Sequence, residues 1–154
     1  MQEEMIIERR QATPEDFEFA RKTHHEAYHD VVVRQFGSWD EKLQDKFFTS
    51  DWNDGSSFEI LSCNGEPCGY SSKEETPEAI ELHELVLNRN TRGKGVGEKM
   101  LRGAIEKAVK KNKALRLEVL KQNKAAGLYR RLGFKEIGEN ETHFKMEYDR
   151  STQR

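Results

Sequence analysis

Three glycines alternate at positions 93, 95 and 97 of the sequence. Before them, Ile80 to Leu87 has the composition of a strand, and after them Gly97 to Lys111 has the period of an amphipathic helix. Glycines in such a turn let the backbone approach a ligand closely, and the first helical turn offers unpaired N–H groups at the positive end of the helix dipole. The sequence therefore predicts a strand–turn–helix unit that binds an anion such as a phosphate.

The spacing of these glycines excludes two common phosphate loops. A P-loop requires Ser or Thr directly after Gly-Lys, whereas Gly95 follows Lys94 here. The dinucleotide pattern Gly-x-Gly-x-x-Gly fails because Glu98 or Met100 stands where its third glycine belongs. The predicted anion site therefore belongs to another class of loop, in which Arg92 and Lys94 add positive charge.

The other elements follow from hydrophobic period and from helix start and stop signals. Thr13 before Pro14 opens a first helix, and Gly37 ends it before a second helix from about Asp40 to Phe48. A short fourth helix lies between Asn123 and Gly133. The predicted strands are Met5 to Gln11, Phe58 to Cys63, Cys68 to Lys73, Ile80 to Leu87, Ala114 to Leu120, Phe134 to Ile137 and Thr142 to Tyr148.

These elements follow the order β-α-α-β-β-β-α-β-α-β-β. We therefore expect an α+β (mixed α/β) fold with a mostly antiparallel central sheet of about seven strands, flanked by about four helices. Parallel pairing is expected across the helix at 97–111, because a crossover helix joins parallel neighbours.

The length and the apolar content limit the number of domains and the class of protein that the chain can form. The chain has 154 residues, near the commonest size of one domain, and we expect residues 1–154 to form a single domain. No apolar run approaches the ~18 residues that would span a bilayer, and the first four residues lack the basic flank and apolar stretch of a signal peptide. We expect a cytoplasmic protein with no membrane partner.

The two cysteines flank a turn-rich stretch. Cys63 and Cys68 stand on either side of residues 64–67, which have the composition of a hairpin turn. A hairpin would allow a disulfide between them, but a reducing compartment disfavours it. A metal site is less favoured still, because no further Cys or His lies nearby to complete four ligands. We expect no metal.

The charge is distributed unevenly along the chain. Residues 1–88 hold 8 Lys/Arg and 20 Asp/Glu, a net charge of −12, whereas residues 89–154 hold 18 and 8, a net charge of +10. An anionic ligand would favour the second half and a cationic ligand the first. The alternative is that both halves only present solvated faces.

Two stretches resemble a known family. The stretch from Leu85 to Gly97 resembles the acetyl-CoA signature of the GNAT superfamily of N-acetyltransferases, Gln/Arg-x-x-Gly-x-Gly/Ala after a strand. The stretch from Asn123 to Phe134 resembles the second cofactor segment of the same superfamily. The family's order of elements covers essentially the whole chain, although residues 13–57 carry no family motif. The resemblance implies a GNAT-like fold and an N-acetyltransferase that uses acetyl-CoA as co-substrate.

The resemblance also implies which residues bind acetyl-CoA. Backbone groups of residues 93–97 would donate to the pyrophosphate, strand atoms around Leu85 and Leu87 would contact the pantetheine arm, and Asn123 and Tyr129 would lie near the thioester. The implied cofactor-binding residues are Leu85, Val86, Leu87, Arg92, Gly93, Lys94, Gly95, Val96, Gly97, Asn123, Ala126 and Tyr129.

Acetyl transfer to an amine needs a base for the amine, polarisation of the thioester carbonyl and a proton for the thiolate. Tyr129 resembles the family's general acid; its alternative role is core packing. For the base, the family places an acidic residue on the strand before the glycine loop, which makes Glu84 the first candidate, Glu81 the second and His83 the third. Period-two alternation puts Glu81 and His83 on one face and Glu84 on the other, but a bulge, as family members carry, would change this.

The uneven charge fits the resemblance. The basic half contains both cofactor segments, and the acidic half contains the helices that shape the acceptor site in this family. We therefore expect the acceptor to be a primary amine of a cationic small molecule or peptide, with Tyr28, Trp39 and His83 as candidate substrate-binding residues. Nucleic acid is not an expected partner, because the basic half lacks interleaved aromatic residues. The protein is expected to be a monomer or a homodimer.

Two alternative functions compete with this interpretation. Residues 25–29 match His-Glu-x-x-His, a zinc signature of metalloproteases, in which His25 and His29 would bind the metal and Glu26 would activate water. The zinc interpretation leaves the glycine loop unexplained and lacks a third ligand at a familiar spacing. The second alternative is a catalytically silent sensor that binds acetyl-CoA without transferring the acetyl group; the presence of Tyr129 argues against it.

Overall fold

The computed structural model describes residues 5–53 and 57–148. The strands are β1 (Ile7–Gln11), β2 (Ser57–Cys63), β3 (Glu66–Glu75), β4 (Ala79–Leu87), β5 (Ala114–Leu120), β6 (Lys135–Glu139) and β7 (His143–Tyr148). The helices are α1 (Phe17–Phe36), α2 (Glu41–Asn53), α3 (Val96–Lys110) and α4 (Ala125–Leu132), and a short 3₁₀ turn at Pro14–Asp16 precedes α1. The predicted order of strands and helices is confirmed.

The seven strands of the described residues form one sheet in the order β1-β2-β3-β4-β5-β7-β6. Neighbouring strands are antiparallel except β4 and β5, which are parallel because α3 connects them as a crossover. The predicted α+β (mixed α/β) fold, with its mostly antiparallel sheet, is therefore confirmed.

Helices α3 and α4 cover one face of the sheet. Leu101 and Ile105 of α3 pack against Leu82 of β4 and Leu115 of β5, and Ala126 of α4 belongs to the same buried cluster. Removing a large apolar side chain of this kind from water contributes about 1.5–3 kcal/mol. This packing fixes α3, and with it the glycine loop at its start, against the end of β4.

Helices α1 and α2 cover the other face through an aromatic cluster. Phe48 of α2 packs with Phe58 of β2 and Tyr70 of β3. The sequence predicts that α2 ends at Phe48, but the helix continues to Asn53. The extension has a packing cause, because the Trp52 ring, one turn later, lies 4.8 Å from the Phe58 ring.

The ends of α1 are formed by the residues that the sequence marks. The backbone N–H of Thr13 donates to the Asp16 carboxylate over 2.8 Å, as in a capping box before α1. Gly37 ends the helix with a φ of 90°, a left-handed conformation that favours glycine. Both signals are therefore confirmed.

The cysteines differ from the expectation of free thiols. Cys63 and Cys68 form a disulfide across the β2–β3 hairpin, where their Cα atoms are 5.8 Å apart. The turn between them uses Asn64 and Gly65 at φ values of 52° and 86°, which brings the two strand ends together. In the part of the chain that the structure describes, no helix has both the length and the apolar content needed to cross a membrane.

Candidate active site

Strands β4 and β5 diverge halfway along their length. Their parallel pairing ends at Leu82 and Leu117, although β4 continues to Leu87 and β5 to Leu120. A cleft of about 1100 Å³ lies at this divergence and is lined by residues of both strands and of α1, α2 and α4. Within the described residues, the β4 edge beyond Leu82 has no strand partner on this side, so its backbone groups are available to a ligand.

A bulge in β4 decides which side chains face the cleft. Glu84 pairs with Ser72 of β3 and Leu82 pairs with Lys73, so His83 is the extra residue. Regular alternation would turn Glu84 away from Glu81, and that prediction is wrong because the bulge shifts the pattern by one residue. Glu81 and Glu84 both line the cleft.

The Glu84 side chain lies between the sheet and α1, in largely apolar surroundings. The Tyr70 hydroxyl donates a hydrogen bond to its Oε2, and Nε2 of His24 lies 3.8 Å from its Oε1. Burial raises the pKa of Glu84 to about 7, the Tyr70 hydrogen bond lowers it, and the nearby charge of Asp51 raises it. Glu84 can therefore gain and lose a proton near neutral pH.

Two tyrosines face this carboxylate from the helices. Burial raises the pKa of Tyr28 well above its ordinary value, and the charges of Glu84 and Tyr129 raise it further, so the Tyr28 hydroxyl lies near both. Burial also raises the pKa of Tyr129, whose ring packs 5.7 Å from the Phe134 ring. Both phenols line the cleft and remain protonated at neutral pH.

The other two candidate bases on β4 are engaged in ion pairs. Glu81 lies 3.5 Å from Arg116, which also contacts Glu147 at 2.7 Å. His83 lies on the bulge with its side chain 43% exposed and its Nε2 3.6 Å from Glu74. Glu84 thus differs from the other two candidates, because it is deeply buried and burial raises its pKa to about 7.

The glycine loop has the geometry of a ligand-binding turn. Gly93 and Gly95 have φ values of 79° and 78°, and Gly95 is the N-cap of α3. A Cβ atom at either glycine would meet no protein atom within 4 Å. The positive φ values therefore require glycine, and the space above the loop is open to a ligand.

Helix α1 contacts the start of the glycine loop through Glu26. The Glu26 carboxylate accepts the backbone N–H of Arg89 over 3.0 Å and contacts the Arg92 guanidinium at 3.4 Å. Arg92 and Gly97 line the cleft at the two ends of the loop. Val96, by contrast, has a buried side chain in a cluster with Leu61, so only its backbone can face a ligand.

The other residues of the predicted cofactor segments divide between the cleft and the core. Leu85, Val86 and Leu87 all line the cleft, as does Asn123, whose Oδ1 accepts the backbone N–H of Ala125 over 2.9 Å. Ala126 does not line it, because its methyl group is buried in the core, and Ala125 takes that place.

The His-Glu-x-x-His match does not assemble a zinc site. His25 uses both ring nitrogens, Nδ1 towards His24 at 2.9 Å and Nε2 towards Asp45 at 2.7 Å. His29 contacts Asp30 at the surface, and Glu26 is turned to the glycine loop. The three side chains of the match thus have three separate sets of partners.

Trp39 lies with these histidines rather than in the cleft. Its ring is 5.1 Å from the His25 ring and 5.3 Å from the His29 ring, and its Nε1 donates to Glu41 over 2.6 Å. Trp39 is not among the cleft-lining residues. Its predicted contact with substrate therefore has no support from its position.

Among the described residues, one group of side chains has donor atoms close enough for a metal ion, namely His25, Glu41 and Asp45, within 4.8 Å of one another. The Arg21 guanidinium already contacts these acids, at 2.8 Å from Asp45 and 3.6 Å from Glu41. Arg21 and a divalent ion together would place three positive charges beside two carboxylates, so the ion would be repelled. We interpret the group as an ion-pair network that joins α1 to α2.

The charges of the cleft differ between its two ends. Asp51, Glu74 and Glu81 line the cleft near Glu84, and Glu118 of β5 lines it opposite Lys145 of β7, which also lines it. At the other end, Arg92 belongs to the positively charged glycine loop. Such a distribution suits a cationic ligand beside Glu84 and an anionic one beside the loop.

The sequence interpretation missed two residues that contact Glu84. In the sequence, Tyr70 alternates with Cys68 and Ser72 along β3, which marks an inward position. On the neighbouring strand β2, Ile60 lies opposite Tyr70 and Phe58 lies opposite Ser72. His24 occupies the apolar face of α1 with Ala20 and Ala27. A polar group on a predicted core face was the available signal for both.

The chain matches a described protein family and a curated relative. The model of the acetyltransferase (GNAT) family matches residues 17–134. An uncharacterised N-acetyltransferase of Methanocaldococcus jannaschii is 35% identical over 95 residues, which are 60% of this chain and 40% of that protein. The match thus spans less than half of the relative's length.

Solved structures share the fold over nearly the whole chain. The PaiA N-acetyltransferase of Thermoplasma acidophilum, in complex with coenzyme A, has a TM-score of 0.73 at 22% identity, covering 94% of this chain and 99% of that one. An acetyltransferase of Thermus thermophilus has a TM-score of 0.70 at 17% identity, covering 92% of this chain and 95% of that one.

Proposed function

The chain belongs to the acetyltransferase (GNAT) family, and we propose that it is an N-acetyltransferase that moves an acetyl group from acetyl-CoA directly to a primary amine. We further propose that the acceptor is a cationic small molecule or peptide and that residues 1–154 act as one domain. The observation that carries the proposal is Glu84, whose pKa is raised to about 7 at the point where β4 and β5 diverge.

The residues of the cleft fit the shape and charge of acetyl-CoA, which supplies the acetyl group as a thioester when it is bound. The pyrophosphate would bind to backbone N–H groups of Gly93 to Gly97 and to Arg92 and Lys94, at the positive end of α3. The unpaired edge of β4 at Leu85 to Leu87 suits the amides of the pantetheine arm. A coenzyme-A complex of a structural neighbour with the same fold supports this assignment.

Glu84 is the proposed base. An acceptor amine is an ammonium ion at neutral pH, and it must lose a proton before its nitrogen can attack a carbonyl carbon. A carboxylate with a pKa of about 7 takes that proton far more readily than an ordinary glutamate does. Burial, the first cause of the raised pKa, also keeps Glu84 out of the ion pairs that occupy Glu81 and His83.

Tyr129 is the proposed acid. Burial keeps its hydroxyl protonated, so it can donate a proton to the departing thiolate of coenzyme A. Backbone N–H groups of β4 beyond the bulge would polarise the thioester carbonyl, because they have no strand partner on the side of β5. The base and the acid then act from different walls of one cleft.

The acidic end of the cleft supports a cationic acceptor. Asp51, Glu74 and Glu81 surround the position at which an amine would approach Glu84. The exposed ring of Phe47 borders the same region and would contact an apolar part of the acceptor. Tyr28 and His83 line the cleft and are the proposed substrate-binding residues; Trp39 has no such contact.

The test has a binding stage and a turnover stage. Thermal unfolding would be recorded with acetyl-CoA, coenzyme A and Zn²⁺, since a ligand of the folded state raises the melting temperature. Release of the free thiol would then be followed with a panel of primary amines that differ in charge. We expect stabilisation by acetyl-CoA and thiol release with cationic amines.

Other outcomes separate the competing functions. Stabilisation by acetyl-CoA without thiol release from any amine would favour the silent sensor, and stabilisation by zinc alone would favour the metal interpretation of His25 and His29. A clear preference for neutral or acidic acceptors would contradict the proposed cationic acceptor while leaving the transferase activity intact.

A further inference from the structure

Two adjacent histidines of α1 connect the buried Glu84 with an ion-pair network at the surface. Nε2 of His24 lies 3.8 Å from Oε1 of Glu84, Nδ1 of His24 lies 2.9 Å from Nδ1 of His25, and Nε2 of His25 lies 2.7 Å from Oδ1 of Asp45. Both histidine side chains are buried, whereas the Asp45 side chain is 40% exposed. The four groups form a series from the cleft to solvent, in which the widest step is the 3.8 Å between Glu84 and His24.

The contacts limit where the protons of this series lie. The short contact between His25 Nε2 and the Asp45 carboxylate requires a proton on Nε2, because a carboxylate can only accept. The two Nδ1 atoms face each other at 2.9 Å and share one proton, and outward transfer requires that proton to start on His24. In that tautomer Nε2 of His24 is a free acceptor, and it faces Glu84.

The surroundings of His24 suit a proton carrier. Its ring packs against Tyr28 at 4.7 Å and Phe48 at 5.1 Å, positions that an apolar ring would fill without the cost of burying two nitrogens. Burial lowers the pKa of His24 to about 3, with the neighbouring His25 as a second cause, so the ring is neutral at rest. A neutral ring can accept a proton at one nitrogen and release one from the other.

The reaction leaves a proton that needs an exit. An ammonium acceptor and a thioester yield an amide, a thiol and one proton in excess. The Glu84 side chain is only 16% exposed, and it faces the cleft that both substrates would fill. With the cleft occupied, the route through α1 still leads to water at the exposed Asp45.

We propose that His24 and His25 relay the proton that Glu84 takes from the acceptor ammonium to Asp45 at the surface, an inference that rests on the proposed function. Protonated Glu84 donates from Oε1 to Nε2 of His24, His24 passes its Nδ1 proton to Nδ1 of His25, and His25 becomes an imidazolium beside Asp45. Nε2 of His25 then gives its proton through the Asp45 carboxylate to water. The two rings regain their starting tautomers by proton exchange with water once the products leave the cleft, so no other reactant is consumed. The 3.8 Å step closes by a small side-chain rotation or through one water molecule.

The charged and titratable groups around the relay favour outward transfer. Glu84 is faced by Tyr70 of β3, by Tyr28 and His24 of α1 and by the charge of Asp51 on α2. His25 is faced by His24, by Asp45 and Glu41 on α2, and by Arg21, which pairs with both acids. The two carboxylates next to His25 stabilise an imidazolium there, whereas the carboxylate next to His24 is that of Glu84 itself, the group that donates the proton.

The test replaces the first ring of the relay while keeping its shape. In His24→Phe, we expect kcat to fall about tenfold or more, with an unchanged KM for acetyl-CoA, because general base catalysis contributes about 10²–10⁴-fold and part of it would lose its proton exit. Added imidazole should restore part of kcat in the variant and leave the wild type unchanged. The matched control is His29→Phe, an exposed histidine of the same helix, which should behave as the wild type.

Three outcomes would overturn the relay. The first is an unchanged kcat in His24→Phe with no dependence on imidazole. The second is a lower kcat that imidazole does not restore, together with a lower melting temperature, which would identify a packing role. The third is an Asp45→Asn variant that leaves the rate of proton release and its buffer dependence unchanged.

A spectroscopic measurement separates failure of the relay from failure of the proposed function. Nitrogen NMR of histidine-labelled protein should find His24 neutral and fixed with its proton on Nδ1. If no amine is acetylated, the transferase proposal fails, yet this measurement still tests the relay. Averaged tautomers at His24, like those of an exposed ring, would contradict it in either case.

Discussion

The hydroxyl of Tyr70 on β3 donates a hydrogen bond to Oε2 of Glu84 on β4. This bond lowers the pKa of Glu84, and burial, the larger effect, raises it, so the result is about 7 rather than higher. Tyr70 thereby fixes one carboxylate oxygen and leaves Oε1 directed towards α1.

The first prediction concerns Tyr70→Phe. A hydrogen bond to a charged group contributes about 1.5–3 kcal/mol, and about 1.36 kcal/mol corresponds to one pKa unit, so the pKa of Glu84 should rise by about 1 unit or more. The ascending limb of the pH dependence of kcat/KM should move to higher pH by the same amount. An unmoved limb would mean that Glu84 is not the group that titrates.

The second prediction compares Glu84→Gln with Glu81→Gln. Wild-type kcat/KM should rise with pH and level off above about 7, because only the ionised form of Glu84 can accept a proton. Glu84→Gln should lose about 100-fold or more in kcat and the limb near that pH. Glu81→Gln breaks the ion pair with Arg116 and removes one acidic group from the cleft, so it should raise the KM for a cationic acceptor but retain kcat and the limb. The reverse order of effects would assign the base to Glu81.

The third prediction concerns Tyr129→Phe. Loss of a general acid should lower kcat by about 100-fold or more, while the KM for acetyl-CoA stays nearly constant. The melting temperature should hold, because the substituted ring keeps its packing against Phe134. A variant with full kcat would leave Tyr129 with a packing role only.

The fourth prediction tests the glycine loop. In Gly95→Val the backbone of the valine must adopt a φ of 78°, which costs on the order of 1–2 kcal/mol. The valine side chain also fills the open space above the loop. Stabilisation by acetyl-CoA should disappear in thermal unfolding. Gly138→Ala is the control, because its Cβ would also meet nothing within 4 Å but lies on β6, and it should retain the effect of acetyl-CoA.

The fifth prediction concerns stability and pH. The pKa of His24 is about 6.5 when unfolded and about 3 when folded, so the unfolded state binds more protons and stability is lost as pH falls below 6.5. Glu84 acts in the opposite sense, because its raised pKa costs stability as pH rises from 4.5 to about 7.

The variant His24→Phe isolates the histidine contribution. As pH falls from 6.5 to 5, the free energy of unfolding of the variant should increase relative to that of the wild type by up to about 2 kcal/mol, at about 1.36 kcal/mol per pH unit. The reason is that the variant lacks the histidine whose lowered pKa destabilises the wild type at low pH. Urea denaturation at about pH 7.5 and pH 5 measures this difference. His29→Phe, which replaces an exposed histidine of the same helix, is the control for the substitution itself.

The fold follows from the sequence because its signals are local. Thr13, Gly37 and Gly133 act within one turn of their helices, and β5 has the predicted limits, Ala114–Leu120, because its alternation is undisturbed. The end of α2 depends instead on a distant partner, since Trp52 extends the helix through its contact with Phe58. Features that depend on residues close in sequence could be predicted from the sequence, whereas contacts between distant elements could not.

The site was less accessible for the same reason. The face on which Glu84 lies depends on a bulge, and no residue near His83 marks one by its type. The pKa of Glu84 arises from burial under α1 and from Tyr70, 14 positions earlier in the chain. The resemblance to GNAT proteins supplied Glu84 as a candidate, whereas its partners Tyr70 and His24 became visible only in three dimensions.

The bulge at His83 separates two properties of β4, the faces of its side chains and its local twist. Leu82 pairs with Lys73 and Glu84 pairs with Ser72, so deleting His83 would leave both residues in register and on their present faces of the sheet. What the deletion would reduce is the local twist that a bulge adds, and β4 parts from β5 at Leu82, directly before the bulge. Loss of one codon would thus leave Glu84 facing the cleft and narrow the opening between the two strands.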